Sequence, residues 1–237
     1  MEKFCTKCGS ELVKGKCPKC GVEKDSTSFS TNGIINRAAL KEAAKEKLNG
    51  NMWTIWKPYV IVMLITGFLG LFAGIFPEDS TGYQLITLLA DILVIPLSFG
   101  VTKYVLDFIR GKEVTTEGLF DYYKKNVINI FLLTFLVGLF TTLWSILLII
   151  PGIIAALSYS MYMYIYVDGK VTEPMEVIKE SKRITYGYKA DYFLFNFSFI
   201  GWALLCLLII PIVYVLPYTV VANAMYYEEL KTIKESE

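Results

Sequence analysis

The sequence predicts an all-α polytopic membrane protein: six transmembrane helices in three helical hairpins, each hairpin preceded by an amphipathic elbow helix. Three observations carry that expectation. Apolar residues make up 54% of the 237-residue chain and come in unbroken runs, where a soluble core would alternate them with polar ones. Two of the runs are too long for one helix to cross a bilayer. The basic residues fall between runs or at the ends of runs, in positions that a folded-back chain would bring to one side.

The runs define the elements in order. Residues 54–76 are 23 in number, enough at 1.5 Å per residue to cross a hydrocarbon core of about 30 Å. Residues 77–83, "PEDSTGY", read as a turn, and residues 84–109 as a second span with Pro96 near its middle. Residues 110–126 are polar. Residues 127–167 then run for 41 positions without a charge, and residues 192–227 for another 36. As straight helices these would be about 60 and 54 Å long, near twice the hydrocarbon thickness. Each is therefore expected to turn back, within residues 144–152 and 208–217, where a proline's missing N–H leaves no unpaired donor in lipid.

Charge gives an independent reading. All 23 Lys and Arg lie within residues 1–57, 103–125, 170–189 or 231–234. None lies in the three expected outer turns, and the first of these carries Glu78 and Asp79 instead. By the positive-inside rule both termini and both polar loops are expected on the cytoplasmic side of the cell membrane.

The N-terminus belongs to another kind of structure. Cys5, Cys8, Cys17 and Cys20 form two C-x2-C pairs separated by eight residues, each pair followed by a glycine, Gly9 and Gly21. Four thiolates suit a tetrahedral Zn²⁺ and fill its coordination sphere, so the metal would be structural, one per chain, with no open position for water. Two disulfides or a dithiol redox pair are the alternatives; a cytoplasmic location disfavours disulfides. Residues 1–24 are thus read as a zinc ribbon and 25–32 as a linker. Residues 33–50 are read as an amphipathic helix on the membrane surface, carrying Ile35, Ala39 and Ala43 on one face beside Leu40, Ala44 and Leu48. Residues 51–230 complete the body as a six-helix membrane domain and 231–237 as a cytoplasmic tail.

An internal repeat reinforces the hairpins. "ILVIPLSFGVTKYVLDFIRGKEVT", "LLIIPGIIAALSYSMYMYIYVDGKVT" and "LLIIPIVYVLPYTVVANAMYYEEL" resemble one another, and the first two lead into the amphipathic segments "TEGLFDYYKKN" and "EPMEVIKESKRITYGYK". Four pieces, "LKEAAKEKLNGNMW", "GLFDYYKKN", "LLIIPGIIAALSYSMYMY" and "EVIKESKRITYGYKADYFLFNFSFIGW", resemble the bacterial domain-of-unknown-function 975 family, a resemblance that extends over nearly all of the chain after residue 36. That resemblance implies a multi-pass bacterial membrane fold, often with an N-terminal zinc ribbon, and implies no particular activity.

The inventory for chemistry is thin. The chain has no histidine, no nucleophile elbow and no glycine-rich phosphate loop. Asp91 is the one carboxylate well inside a span, where a charge is costly, so it is the candidate intramembrane polar site. Asp107 comes four residues after Lys103 and is expected to pair with it. Tyr159, Tyr162 and Tyr166 are expected on one face, as an interfacial aromatic belt or as a cavity lining. Asn196 and Asn223 are expected to hydrogen-bond between helices. Lys124, Lys125, Lys182 and Arg183 are candidates for contact with anionic lipid headgroups, alongside Lys179 and Lys189. Residues 1–24 hold six Lys against three Glu, too weak a basic excess to expect nucleic acid. The expectation is a non-enzymatic membrane protein whose zinc ribbon docks a cytoplasmic protein partner or regulates the membrane domain. The alternative is a transporter of small molecules or lipids, or another lipid-handling protein.

Overall fold

The computed structural model describes residues 29–31, 33–124, 126–206 and 211–236. The four cysteines read as a zinc ribbon lie outside the described residues, as do most of the linker and Lys125.

The described chain begins with a short antiparallel ladder, β1 (Ser30–Thr31) against β2 (Ile34–Ile35), turned at Gly33 with φ +75°. Helix α1 (Arg37–Leu48) starts where the Asn36 side chain accepts the Ala39 N–H at 3.1 Å, and ends at Asn49, just before Gly50 with φ +77°. Its buried residues, Leu40, Ala44 and Leu48, recur every four positions and face the last helix of the chain. The sequence places this apolar stripe on the lipid surface; the structure docks it on protein.

Among the described residues, four segments are long and apolar enough to cross a membrane: α2 (Met52–Ala73), α3 (Thr81–Ile109), α4 (Val127–Leu147), and the pair α5 (Ile149–Tyr159) and α6 (Tyr162–Asp168). Only 17% of the apolar window of α2 and 11% of that of α4 is buried. Phe68, Leu71, Ile128 and Ile146 stand 71 to 81% exposed. A water-soluble fold could not present so much contiguous apolar surface, whereas lipid tails solvate it. The turn between α4 and α5 falls at Leu148, inside the stretch expected to reverse, and Gly152 fits it because a Cβ there would lie 2.4 Å from Ser145 Oγ.

The rest of the chain wraps the ends of these spans that carry the Lys and Arg clusters, the basic end. A 3₁₀ helix (Glu117–Tyr123) crosses α3 at Gly100, where an added Cβ would sit 2.1 Å from the Leu119 carbonyl oxygen. Pro96 withholds the N–H that the Ile92 carbonyl would otherwise receive, and the Tyr123 hydroxyl donates to the next carbonyl along, that of Leu93, tying the 3₁₀ helix to α3 beside the proline. After α6 come α7 (Pro174–Thr185), α8 (Lys189–Phe197), α9 (Ile200–Leu205) and α10 (Ile212–Ser236). The sequence reads residues 192–227, which hold most of α8, α9 and much of α10, as the fifth and sixth spans; these helices are not among the four apolar candidates, and residues 207–210 between α9 and α10 lie outside the described residues. Helix α10 packs against α1, α2, α3 and α7, with Tyr218, Val221, Ala224, Tyr226 and Leu230 at most 2% exposed. It is the core strut of the basic end.

Candidate functional site

The residues singled out by sequence scatter. Asp91 is exposed on α3. Lys124 is exposed at the end of the 3₁₀ helix. Lys103 and Lys112 both pair with Asp107, the second at 3.4 Å. Lys182 and Arg183 are neighbours on α7 but face different surroundings. Arg183 forks onto Glu180 at 2.8 and 2.7 Å, which holds the Glu180 carboxyl below its ordinary range. Lys182 lies over the Tyr159 ring, 5.3 Å from its centre. The tyrosines form no belt: Tyr159 and Tyr166 are buried, and Tyr166 packs edge-on against Phe99 at 5.2 Å. Asn223 does link helices, accepting from the Tyr192 hydroxyl at 2.8 Å, whereas Asn196 bonds within its own helix.

Three arrangements appear that sequence reading missed. The first is a break. Helix α5 stops at Tyr159 and α6 starts at Tyr162, which leaves carbonyls of the last α5 turn without helical donors. Ser181 Oγ donates to the Ser158 carbonyl at 2.9 Å, while Thr185 Oγ1 donates to the Ser181 carbonyl at 2.7 Å and stands 3.3 Å from the Ser158 oxygen. Both hydroxyls come from the buried face of α7, so a neighbouring helix completes the broken span. Two hydroxyls four residues apart on an otherwise apolar stripe (Val177, Ile178, Ile184) were the available signal.

The second is an ion-pair network at the basic end. Arg110 closes α3 and donates to Asp168 at 2.5 Å and to Glu228 at 2.9 Å. Asp168 also accepts from Tyr227 at 2.8 Å and Lys231 at 2.5 Å. Burial alone would lower the Arg110 pKa, but the two carboxylates outweigh it and raise it. One carboxylate, 5% exposed, thus ties the ends of α3, α6 and α10 together. Lys170 and Glu235 add a more exposed pair beside it.

The third is a clamp on α1. The Arg37 guanidinium meets Asp191 at 3.4 Å, the Lys41 ammonium stands 4.5 Å from the centre of the Phe199 ring, and Lys45 stands 5.6 Å from that of Tyr218. Burial, with Arg37 and Lys45 nearby, lowers the Lys41 pKa. The Tyr188 hydroxyl donates to the Gly33 carbonyl at 2.7 Å. The segment directly after the N-terminal module is thereby fastened to α8 and α10.

Between α5 and the corner joining α7 to α8 runs an open groove of about 430 Å³. Pro151, Ile154 and Ala155 form one wall; Lys182, Tyr186 and Lys189 form the other. Gly187, with φ +87°, makes the sharp corner that turns both lysines to the same side. Among the described residues no cluster of Cys, Asp and Glu is placed to hold a metal ion.

Fold and site together define a helical integral membrane protein with a polar, cross-braced basic end. Residues 146–234 match the model of a family described as a protein of unknown function (DUF975), a similarity confined to that stretch of the chain. The match covers two of the motifs that carry the resemblance, those beginning at Leu147 and Glu176, and not the two nearer the N-terminus. No curated protein and no solved structure matches the chain.

Proposed function

We propose that the protein is a non-enzymatic membrane protein in which a zinc ribbon, with one Zn²⁺ held by Cys5, Cys8, Cys17 and Cys20, serves as a docking or regulatory head for the helical body. The observation that carries the reading is the clamp on α1. The helix that follows the head and its linker is held by an ion pair and two cation–π contacts, the Tyr188 hydroxyl bonds the Gly33 carbonyl just before it, and its apolar stripe lies against α10. A partner bound to the head would act through the linker on a segment fixed to the body. A coordinatively full four-thiolate site presents a surface and cannot activate water, which fits docking and not catalysis. In this reading the basic end faces the cytoplasm, in keeping with the positive-inside rule.

Deleting residues 1–32 should abolish partner association or its effect on the body, and Arg37→Ala with Lys41→Ala should keep partner binding while uncoupling it from the body. Cys17→Ser with Cys20→Ser should lose stoichiometric zinc while the body still inserts. A cysteine probe at Ser80 should label from outside intact cells, and probes at Ser10 and Thr232 only after permeabilisation. Retained zinc, or outside labelling at Ser10, would overturn the reading. The groove beside α5 favours the second reading, a lipid-handling protein.

A further inference from the structure

We infer that the groove between α5 and the α7–α8 corner is a binding site for one phospholipid with a net negative headgroup, its phosphate between Lys182 and Lys189 and its acyl chain against Pro151, Ile154 and Ala155. The site goes beyond the docking role proposed for the head and stands without it.

The charge balance of the basic end comes first. There Arg110, Lys231, Arg183, Lys170, Lys103, Lys112 and Arg37 each have a carboxylate partner. Lys182 and Lys189 have no carboxylate within ion-pair distance among the described residues, and the groove they line contains no Asp or Glu. Lys182, exposed, has the ring of Tyr159 beside it, and Lys189 is half-buried. Two cations on one rim of an apolar groove whose lining carries no anion make a local positive potential that a counter-charge would relieve. A phosphate supplies that charge, and lysine binds it as a compact point charge with three donors.

The apolar wall then selects the source of the phosphate. Pro151, Ile154 and Ala155 belong to a candidate membrane span, and Ile154 is 47% exposed. From Pro151 to Ser158 the wall extends for about 10 Å along α5. A volume of about 430 Å³ falls within the usual 300–1,000 Å³ of small-ligand sites, and the groove is open along its length, so a chain can enter from the bilayer without a gate. A free phosphate would satisfy the lysines and leave that apolar surface uncovered. Trp144 at the far end and Tyr186, 74% exposed, beside the lysines bracket the slot with rings that tolerate both apolar chain and polar headgroup.

The test uses the full-length protein in phosphatidylcholine nanodiscs with and without 20 mol% phosphatidylglycerol, with bound lipid counted by native mass spectrometry after release into detergent. One phosphatidylglycerol should be retained per chain. Lys182→Gln with Lys189→Gln should weaken its retention about thirtyfold, from roughly 1 kcal/mol per lysine near an anionic headgroup. Lys47→Gln with Lys57→Gln, the same charge change away from the groove, should leave retention unchanged. Ile154→Trp, which keeps both lysines and fills the slot, should also release the lipid. Thermal melting in pure phosphatidylcholine checks that each variant is folded, and Lys→Arg at both positions, which keeps the charge, should restore retention. Equal loss from both lysine pairs would mean diffuse surface charge and would overturn the site. So would unchanged retention in Ile154→Trp, or displacement of the lipid by millimolar inorganic phosphate alone, which would make the ligand a soluble anion.

Discussion

The Ser181 hydroxyl donates to the carbonyl oxygen of Ser158 across 2.9 Å, joining α7 to the point where the fourth candidate span breaks. The contact explains how a span can be interrupted within an apolar environment: a donor from α7 replaces the amide that the helix no longer provides. It also puts α7 in position to deliver Lys182 to Tyr159 and the groove.

Removing that replacement should loosen the break. Ser181→Ala with Thr185→Val keeps the shape of the α7 face and leaves the Ser158 carbonyl buried without a donor, a cost of about 1–3 kcal/mol. Thermal melting in detergent should fall accordingly. Thr185→Val alone should cost less, because Ser181 still donates, whereas Ser181→Ala alone should cost nearly as much as the double change, because the Thr185 proton is engaged by the Ser181 carbonyl. A double variant as stable as wild type would show that the break does not depend on α7.

Gly100→Ala should be among the most damaging small substitutions in the chain. The new Cβ would meet the Leu119 backbone, which has no rotamer to change, so the 3₁₀ elbow must lift from α3. The expected loss is about 1–3 kcal/mol, read as a lower melting temperature and faster proteolysis within residues 111–126. Gly111→Ala, which meets no atom within 4 Å but has φ +71°, should cost only backbone strain of about 1 kcal/mol.

Asp168→Ala should cost about 3 kcal/mol, because it leaves Lys231, 22% exposed, without its partner and strips Arg110 of one of two carboxylates. Glu228→Gln should cost less than about 1 kcal/mol: Glu228 is more exposed, and Arg110 keeps Asp168. Denaturant titration of the two variants in the same detergent tests the order, and the reverse order would refute the central role of Asp168.

Acid should weaken the basic end. Hydrogen bonds from Arg183 hold the Glu180 carboxyl below its ordinary value of 4.5, and Lys170 does the same for Glu235. A carboxyl depressed in the folded state stabilises it at pH above the unfolded value, so this contribution is complete above about pH 4.5 and fades as the pH falls through the folded values. Glu180 is half-buried but its partner Arg183 is 53% exposed, so the Glu180 contribution should stay under about 1 kcal/mol. Melting curves between pH 6 and 3.5 should fall less steeply for Glu180→Gln than for wild type. Equal slopes would show that this ion pair contributes nothing.

By itself the sequence determined the features that composition and run length dictate. The membrane class, the spans of α2 and α3, and the reversal near Leu148 are legible because lipid imposes a length on every apolar helix and a turn on every run that exceeds it. The pairing of Lys103 with Asp107 is legible because neighbours four apart on a helix must meet. Contacts made at long range left no such trace. Nothing in the local pattern joins Arg110 to Asp168 and Glu228, or brings Ser181 to Ser158, since these partners are 58, 118 and 23 residues apart. The stripe of Leu40, Ala44 and Leu48 shows that α1 buries one face but not whether lipid or α10 covers it, for both are apolar. Tyr159 and Tyr166 read equally well as an interfacial belt, and only their packing against Phe140, Phe99 and Tyr122 makes them core. Tertiary structure alone decided which polar groups share a site, because burial and charge pairing depend on what the chain folds back against and not on its order.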